Sequence, residues 1–257
     1  MDHEIDIMGA AAIRAGTRVL ELASEGFEIH TKNDRSPVTT ADLEVNRILH
    51  EDLLGAYPDH GWLSEETADN PDRLEKKRVW IIDPIDGTKY FMRGVPQYTI
   101  SIALAEGTSP IAAIVYNPAS GEFFSAVRGS GARLNGQPIA VRDAQQERPV
   151  ILVSPPAWER GRFNALAATA ECRPMGSIAY TLALVAAGQA DGALNIDRLN
   201  EWDIAAGVLL IGEAGGKAVD SAGNPLLFNQ PRTAVQGIIA SHAHWHGRMA
   251  GWVDLLS

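Results

Sequence analysis

Residues 79–93 read VWIIDPIDGTKYFMR, and no other stretch restricts the possible fold as much. Four apolar residues, Val79 to Ile82, run straight into Asp83, Pro84, Ile85, Asp86, Gly87 and Thr88. The run reads as a buried strand covered on both faces. Pro84 has no N–H to give to a ladder, so the strand is expected to close there. Its end carries two carboxylates, Asp83 and Asp86, three positions apart. Gly87 and Thr88 can open a helix whose first N–H groups lack intrahelical partners, an arrangement suited to an anion. Acids beside an anion site repel it unless cations lie between them. The stretch therefore points to carboxylates, divalent metal and phosphate.

Composition sets the outer limits. A chain of 257 residues has room for one large domain or two intimate subdomains. With 46% hydrophobic and 21% charged residues, it can bury a sizeable core. The 22 basic and 32 acidic residues give a net charge of −10, which argues against duplex nucleic acid as a partner. A small phosphate ester held through metal ions remains compatible with that charge. Cys172 is the single cysteine, so no intrachain disulfide forms and a reducing, cytoplasmic setting is expected. Asp2, Glu4 and Asp6 do not fit a secretory signal. No apolar run approaches the ~20 residues of a membrane helix, so no membrane insertion is expected.

Apolar spacing predicts helices over residues 4–25 and 41–57, separated by a turn-rich polar loop at 31–37. A short strand at 61–64 runs into Glu65 and Glu66, and a charged linker at 67–77 leads to the opening stretch. Strands at 98–105, 111–116 and 122–127 form a meander, so the first sheet is at least partly antiparallel. Asn135-Gly136 marks a hairpin turn. The chain turns polar around residues 142–148, which divides it into subdomains at 1–145 and 146–257. Beyond lie strand 149–153, helices 158–171 and 177–188, strand 190–196, helix 203–214, strands 217–220 and 236–241, and helix 243–255. This alternation makes the second half mixed α/β.

Further acids recur where apolar strands meet helix starts. Glu65 and Glu66 end a strand, Asp203 opens the helix of EWDIAAGVLLIGEAGG, and Asp42 forms a capping-box pattern with Thr39. Each alone reads as a helix-start acid. Together they supply the oxygen ligands that Mg²⁺ shares with water and phosphate, and two or more ions could polarise a phosphoryl group and activate water. Thr88 and Asp42 suit the orienting of that water, as a hydroxyl and a carboxylate. His242, His244 and His246 lie in SHAHWHGR and read as one end of an exposed helix capped by Ser241. Gly212, Gly215 and Gly216 read as the stop of the Asp203 helix.

Four motifs occur in order: K-x-D-x-S-P-V-T-x-A-D at 32–42, W-L-S-E-E at 62–66, D-P-I-D-G-T-K-x-F at 83–91 and E-W-D-x-A-A-G at 201–207. In combination they resemble the inositol monophosphatase superfamily of Mg²⁺-dependent, lithium-sensitive phosphomonoesterases, over about residues 5–255. The resemblance implies an αβαβα sandwich, with a largely antiparallel N-terminal sheet and a mixed C-terminal one. It assigns metal ligation, by two or three Mg²⁺ ions, to Glu65, Asp83, the Ile85 carbonyl, Asp86 and Asp203. Asp42 and Thr88 match the pair that activates water. Gly87 and Thr88 match the phosphate-binding backbone, with Lys89, Gly176, Ser177 and Arg198 as further substrate contacts. Glu66 and Lys32 match supporting positions. The implied mechanism is in-line attack by a metal-activated water, without a phosphoenzyme. A homodimer is implied on the same ground.

Substrate class divides within the superfamily. Lys89 and Phe91 after DGT, Arg93-Gly94, the SPVTxAD loop and Glu201 resemble the 3'(2'),5'-bisphosphate nucleotidase branch, which removes the 3'-phosphate of adenosine 3',5'-bisphosphate. Inositol-1-phosphatases are the alternative. They carry a hydroxyl-binding acid shortly before WD, for which Asp197 is the candidate. Histidinol-phosphatase is a third. A mainly non-catalytic role as a partner of transcription machinery is the reading from a different class.

Overall fold

A computed structural model describes residues 2–32, 36–143, 147–253 and 256. The chain opens with helix α1 (Asp2–Glu25), the ribbon of β1 (Ile29–Thr31) and β2 (Pro37–Thr39), and helix α2 (Thr40–Ala56). A seven-stranded sheet follows in chain order: β3 (Gly61–Ser64), β4 (Arg78–Asp86), β5 (Thr99–Glu106), β6 (Ser109–Asn117), β7 (Glu122–Val127), β8 (Ala132–Leu134) and β9 (Gln137–Ile139). The four-residue helix α3 (Thr88–Phe91) leaves the end of β4. β3 pairs with β4 in parallel, and the remaining neighbours are antiparallel.

The second half comprises β10 (Val150–Val153), α4 (Pro155–Glu159), β11 (Glu171–Pro174), α5 (Ile178–Ala186), β12 (Gly192–Asn200), α6 (Glu201–Glu213), β13 (Gly216–Val219), β14 (Ala234–His242) and α7 (Ala243–Val253). Its five strands lie in the order β11-β10-β12-β14-β13. β10 pairs in parallel with β11 and β12, and β14 is antiparallel to β12 and β13.

Three apolar clusters stack these elements. Met8, Val45 and Leu49 from α1 and α2 meet Trp80, Ile82, Ile100 and Ile102 on one face of the first sheet. Val79, Ile81 and Ala103 on the other face meet Leu182, Ile204 and Ala206 of α5 and α6, a layer that also covers Ala193 and Ile238 of the second sheet. α7 closes the far side through Trp245 and Met249 against Ile151 and Ile239. The order is αβαβα. A helix between two sheets must be apolar all round, which is why α5 reads IAYTLALVA with eight of its nine residues buried.

The strand of residues 79–82 does not close at Pro84; β4 continues to Asp86. Its pairing steps from Asp83 opposite Ser101 to Asp86 opposite Thr99, three residues against two. That is a β-bulge, and Pro84 sits inside it, where a missing N–H removes no ladder bond. The bulge also sets the site. In a regular strand, residues three apart point to opposite faces. The extra residue puts Asp83 and Asp86 on the same face, towards α5 and α6, while Ile85 joins the core under α1 and α2.

Other expectations need correction. Residues 158–171 do not form one helix. α4 ends within two turns, Gly161 turns the chain at φ +72, and residues 171–174 become an edge strand beside β10. The strand expected to end at residue 196 runs to Asn200 through an irregularity between Asn195 and Arg198. The linker at 67–77 contains a 3₁₀ turn, Pro71–Glu75, that buries Arg73. Part of the 31–37 loop is the β1–β2 ribbon; residues 33–35 lie outside the described residues. Ser241 lies within β14 and does not cap α7, and residues 254 and 255 of the expected last helix lie outside the described residues. The expected subdomain boundary at 145/146 also falls outside them. Asn135 and Gly136 have φ of 49 and 79, the two positive values that a type I′ hairpin turn requires.

The α5–α6 layer depends on Gly207. A Cβ there would stand 2.5 Å from Leu182 Cδ1 and 2.6 Å from Leu182 Cβ, an atom that no rotamer change can move. Gly207→Ala is expected to destabilise the protein by about 2 kcal/mol, because overpacking at the crossing exceeds the helix-propensity gain. Thermal denaturation should show a melting temperature lower by roughly 4–8 °C.

Candidate active site

The site lies where the bulged end of β4 meets the N-termini of α5 and α6. An open cleft of about 520 Å³ is lined there by Glu65, Asp83, Ile85, Asp86, Gly87, Thr88 and Asp203. Glu65 leaves the turn after β3, and Asp203 stands in the first turn of α6, where its Oδ2 accepts the Asn200 amide at 2.7 Å. Glu65, Asp83 and Asp203 each bring an oxygen within 4.8 Å of the others, the one such grouping of acids, histidines or cysteines among the described residues. The histidines at 242, 244 and 246 form none.

Burial makes this grouping costly without a cation. Asp83 is 1% exposed, and its Oδ1 has no hydrogen-bond partner among the described residues. Burial first, and then the charges of Glu65, Asp86 and Asp203, push its carboxyl well above the ordinary range. Asp203 is pushed up in the same way, by burial and then by Asp86. Asp86 rises to about 7 through burial, although hydrogen bonds from Ser177 and the Ala179 amide oppose the shift. An orphaned buried oxygen among converging carboxylates fits a hard divalent cation, which takes oxygen ligands.

Lys32 occupies the outer side of the nest. Its Nζ donates to Glu65 Oε1 at 2.7 Å and Glu66 Oε1 at 2.6 Å. Burial alone would lower its pKa, but the two glutamates hold it above the usual lysine range. Burial raises Glu66 to about 7, against the hydrogen bond from Lys32. Glu66 and Lys32 therefore sit beside the three converging acids and outside their grouping.

Asp42 serves two ends at once. Its Oδ2 closes the capping box of α2, accepting from the Thr39 amide at 2.7 Å and the Thr39 hydroxyl at 2.6 Å. Its Oδ1 lies 2.9 Å from Thr88 Oγ1, which is also 3.1 Å from the Ile85 carbonyl oxygen. Thr88 has one proton to give to these two acceptors, so its lone pairs remain free to accept from a molecule in the cleft. Burial raises the Asp42 pKa against the bonds from Thr39 and Thr88. Gly87 turns the chain between β4 and α3 at φ +97; a Cβ would meet the Gln97 carbonyl oxygen at 2.7 Å. Only glycine fits this conformation in this space.

Lys89 and Gly176 line the cleft, but two expected substrate contacts do not. Ser177 is fully buried, with its hydroxyl engaged by Asp86, Thr99 and the Tyr180 amide. Arg198 is exposed on β12 outside the lining. Its neighbour Asp197 does line the cleft, held by Ser154 Oγ at 2.7 Å and Arg160 at 3.1 Å. Ser154, Tyr90 and Thr99 escape a sequence reading. Ser154 alone left a signal, since a serine before Pro155 is a helix cap followed by proline in the first turn.

Comparisons with known proteins agree with this geometry. Residues 2–253 match the inositol monophosphatase family. An inositol-1-monophosphatase of Rhizobium meliloti is 36% identical over 231 residues, covering 85% of this chain and 86% of that relative. A Xylella fastidiosa protein named Nus factor SuhB is 35% identical over 232 residues, covering 85% and 82%. The solved IMPase of Thermotoga maritima superposes with a TM-score of 0.89 at 29% identity, covering 100% of this chain and 98% of that one. The matched span, the layered fold and the acidic cleft agree: this chain belongs to the inositol monophosphatase family and is a metal-dependent phosphoric monoester hydrolase.

Proposed function

We propose that the protein hydrolyses the phosphate monoester of a small polyol with Mg²⁺, and that inositol 1-phosphate is a substrate. Glu65, Asp83, Asp86, Asp203 and the Ile85 carbonyl would hold the ions. When bound, these supply Lewis-acid polarisation of the phosphoryl group and lower the pKa of water. Thr88 accepts a hydrogen bond from the attacking water and passes its own to Asp42, which fixes the water's orientation. The Gly87–Thr88 turn offers backbone N–H groups to the phosphate. No cysteine or histidine lines the cleft among the described residues, in keeping with direct attack by water. Li⁺ is expected to inhibit.

The observation that carries the substrate reading is Asp197. It places a carboxylate in the cleft beside Asn195, in a position to accept hydrogen bonds from substrate hydroxyls. The similarity to the Rhizobium inositol-1-monophosphatase supports the same reading. One feature favours the bisphosphate nucleotidase reading instead. Lys89 and Arg93 both line the cleft, and no side-chain ion pair with an acid holds either one among the described residues, although Arg93 acts on the Tyr90 hydroxyl. Two cations in the cleft suit a second phosphate.

Phosphate release in Mg²⁺ from inositol 1-phosphate, adenosine 3',5'-bisphosphate and histidinol phosphate separates these readings. Inositol 1-phosphate is expected to show the highest kcat/KM, by about tenfold or more, and Asp197→Asn to raise its KM more than it lowers kcat. A preference for the bisphosphate, lost in Lys89→Ala and Arg93→Ala, reverses the assignment. The name of the Xylella relative raises a partner-binding role for this chain as well. Asp86→Asn tests it, since a biological role that survives loss of phosphate release is not enzymatic. The chain is proposed to act as a homodimer of two subdomains per protomer; sedimentation of the purified protein measures its state.

A further inference from the structure

Asp86 is held from a side that the metal ligands do not occupy. Ser177 is fully buried at the N-cap of α5. Its hydroxyl has one proton and two lone pairs. The Tyr180 amide donates to it at 2.9 Å, and Asp86 Oδ2 takes its proton at 2.5 Å. Thr99 Oγ1 lies 3.0 Å away, and with Ser177's proton committed to Asp86, Thr99 must be the donor. Three side chains thus form one directed chain, from Thr99 to Ser177 to Asp86. The Ala179 amide, at 2.6 Å, gives the same Oδ2 a second donor. The Ile178 amide also bonds this carboxylate, and Asp86 lines the cleft with both the Ser177 and Ala179 contacts falling on Oδ2.

We propose that Ser177 and Thr99 are positioning residues that lock the Asp86 carboxylate through Oδ2, leaving Oδ1 as the oxygen available to a cation. The proposal rests on the metal-dependent reading of the cleft. Thr99 and Asp86 belong to the first sheet, directly opposite each other across the bulge, whereas Ser177 belongs to α5. The cation affinity of the cleft therefore depends on α5 being seated against β4 and β5. Neither Ser177 nor Thr99 lines the cleft, so their hydroxyls act only by setting where the Asp86 carboxylate points, and partners of this kind govern metal affinity.

The test is a titration of substrate-free protein with Mg²⁺, followed by calorimetry and by the rise in melting temperature. Ser177→Ala is expected to weaken Mg²⁺ binding by about 10-fold or more, the scale seen when partners of metal ligands are removed. Thr99→Val leaves the α5 cap in place and is expected to weaken it by about threefold or more through the same chain. Ser177→Thr keeps the hydroxyl and is expected to restore binding to within about twofold of the wild type. A merely structural role for Ser177 lowers the metal-free melting temperature and leaves Thr99→Val silent. Wild-type Mg²⁺ affinity in Thr99→Val and Ser177→Ala overturns the proposal. If Ser177→Ala does not fold, wild-type affinity in Thr99→Val overturns it alone. A wild-type protein that shows no Mg²⁺ binding contradicts the metal reading itself, a result distinct from failure of the positioning chain.

Discussion

Asp83→Asn is expected to stabilise the metal-free protein while removing most of its activity. The asparagine keeps the shape of a side chain that is 1% exposed, and it eliminates a charge facing Glu65, Asp86 and Asp203. Removing an unpaired buried charge of this kind is worth about 1–3 kcal/mol, which is roughly 2–10 °C in melting temperature for a chain of this size. The same exchange removes a ligand oxygen, and the fall in kcat is expected to reach about 10³-fold or more.

The pH dependence follows from the direction of the shifts. Asp83, Asp86 and Asp203 have pKa values raised on folding, so the folded chain holds their protons more tightly than the unfolded chain does. The stabilisation is fully present below the unfolded carboxylate value, about 4, and is lost as pH rises. The loss runs through about 7 for Asp86, and the upward shifts of Asp83 and Asp203 act in the same direction. Wild-type melting temperature without metal is therefore expected to fall between pH 5 and pH 8, and Mg²⁺ to restore it by mass action. In Asp83→Asn both the fall and the Mg²⁺ effect shrink. Thermal melts at the two pH values, with and without Mg²⁺, measure all four quantities.

Thr88→Val is expected to lower kcat by about 10²–10³-fold and to change KM little, because the hydroxyl acts on the attacking water rather than on substrate binding. Valine is nearly isosteric but leaves Asp42 Oδ1, now 2.9 Å from a hydroxyl donor, facing a methyl group. The protein also loses about 1–3 kcal/mol of stability through that unsatisfied oxygen. Thr88→Ser keeps the donor and is expected to retain most activity. An unchanged kcat in Thr88→Val would remove Thr88 and Asp42 from the water-orienting role.

The sequence shows most of this site because its acids lie at predictable places. An apolar strand or helix start beside an acid is local information, and Glu65, Asp83, Asp86, Asp42 and Asp203 can all be read from it. What the sequence hides is how tertiary pairing re-aims them. Pro84 suggests a strand end, whereas the partner strand β5 turns it into a bulge that brings Asp86 round to face Asp203. Ser177 has the pattern of a helix cap, and only the seating of α5 shows that the cap also holds Asp86. Arg198 and Asp197 are adjacent, and the irregularity in β12 decides which of them enters the cleft. The helix expected over residues 158–171 fails because the period continues across Gly161, where the backbone turns left-handed.

Arg73 shows the same limit away from the chemistry. Within a stretch that reads as charged linker, its buried guanidinium donates to Asp69 at 2.6 and 2.9 Å, to Asn229 Oδ1 at 2.6 Å and to the Gln230 carbonyl at 2.9 Å. The amides of residues 229 and 230 are in turn held by Glu201 at the start of α6. Segments about 156 positions apart thus meet two residues from Asp203. Nothing local in the sequence reports such a contact.

The acid nest can be examined most directly by soaking crystals of the protein in Mn²⁺, a cation that accepts the same oxygen ligands as Mg²⁺, and recording anomalous scattering. The expected result is a peak within bonding distance of the Glu65, Asp83 and Asp203 carboxylates that is lost in Asp83→Asn. A protein that releases phosphate in Mn²⁺ and shows no peak among these three residues would contradict the assignment.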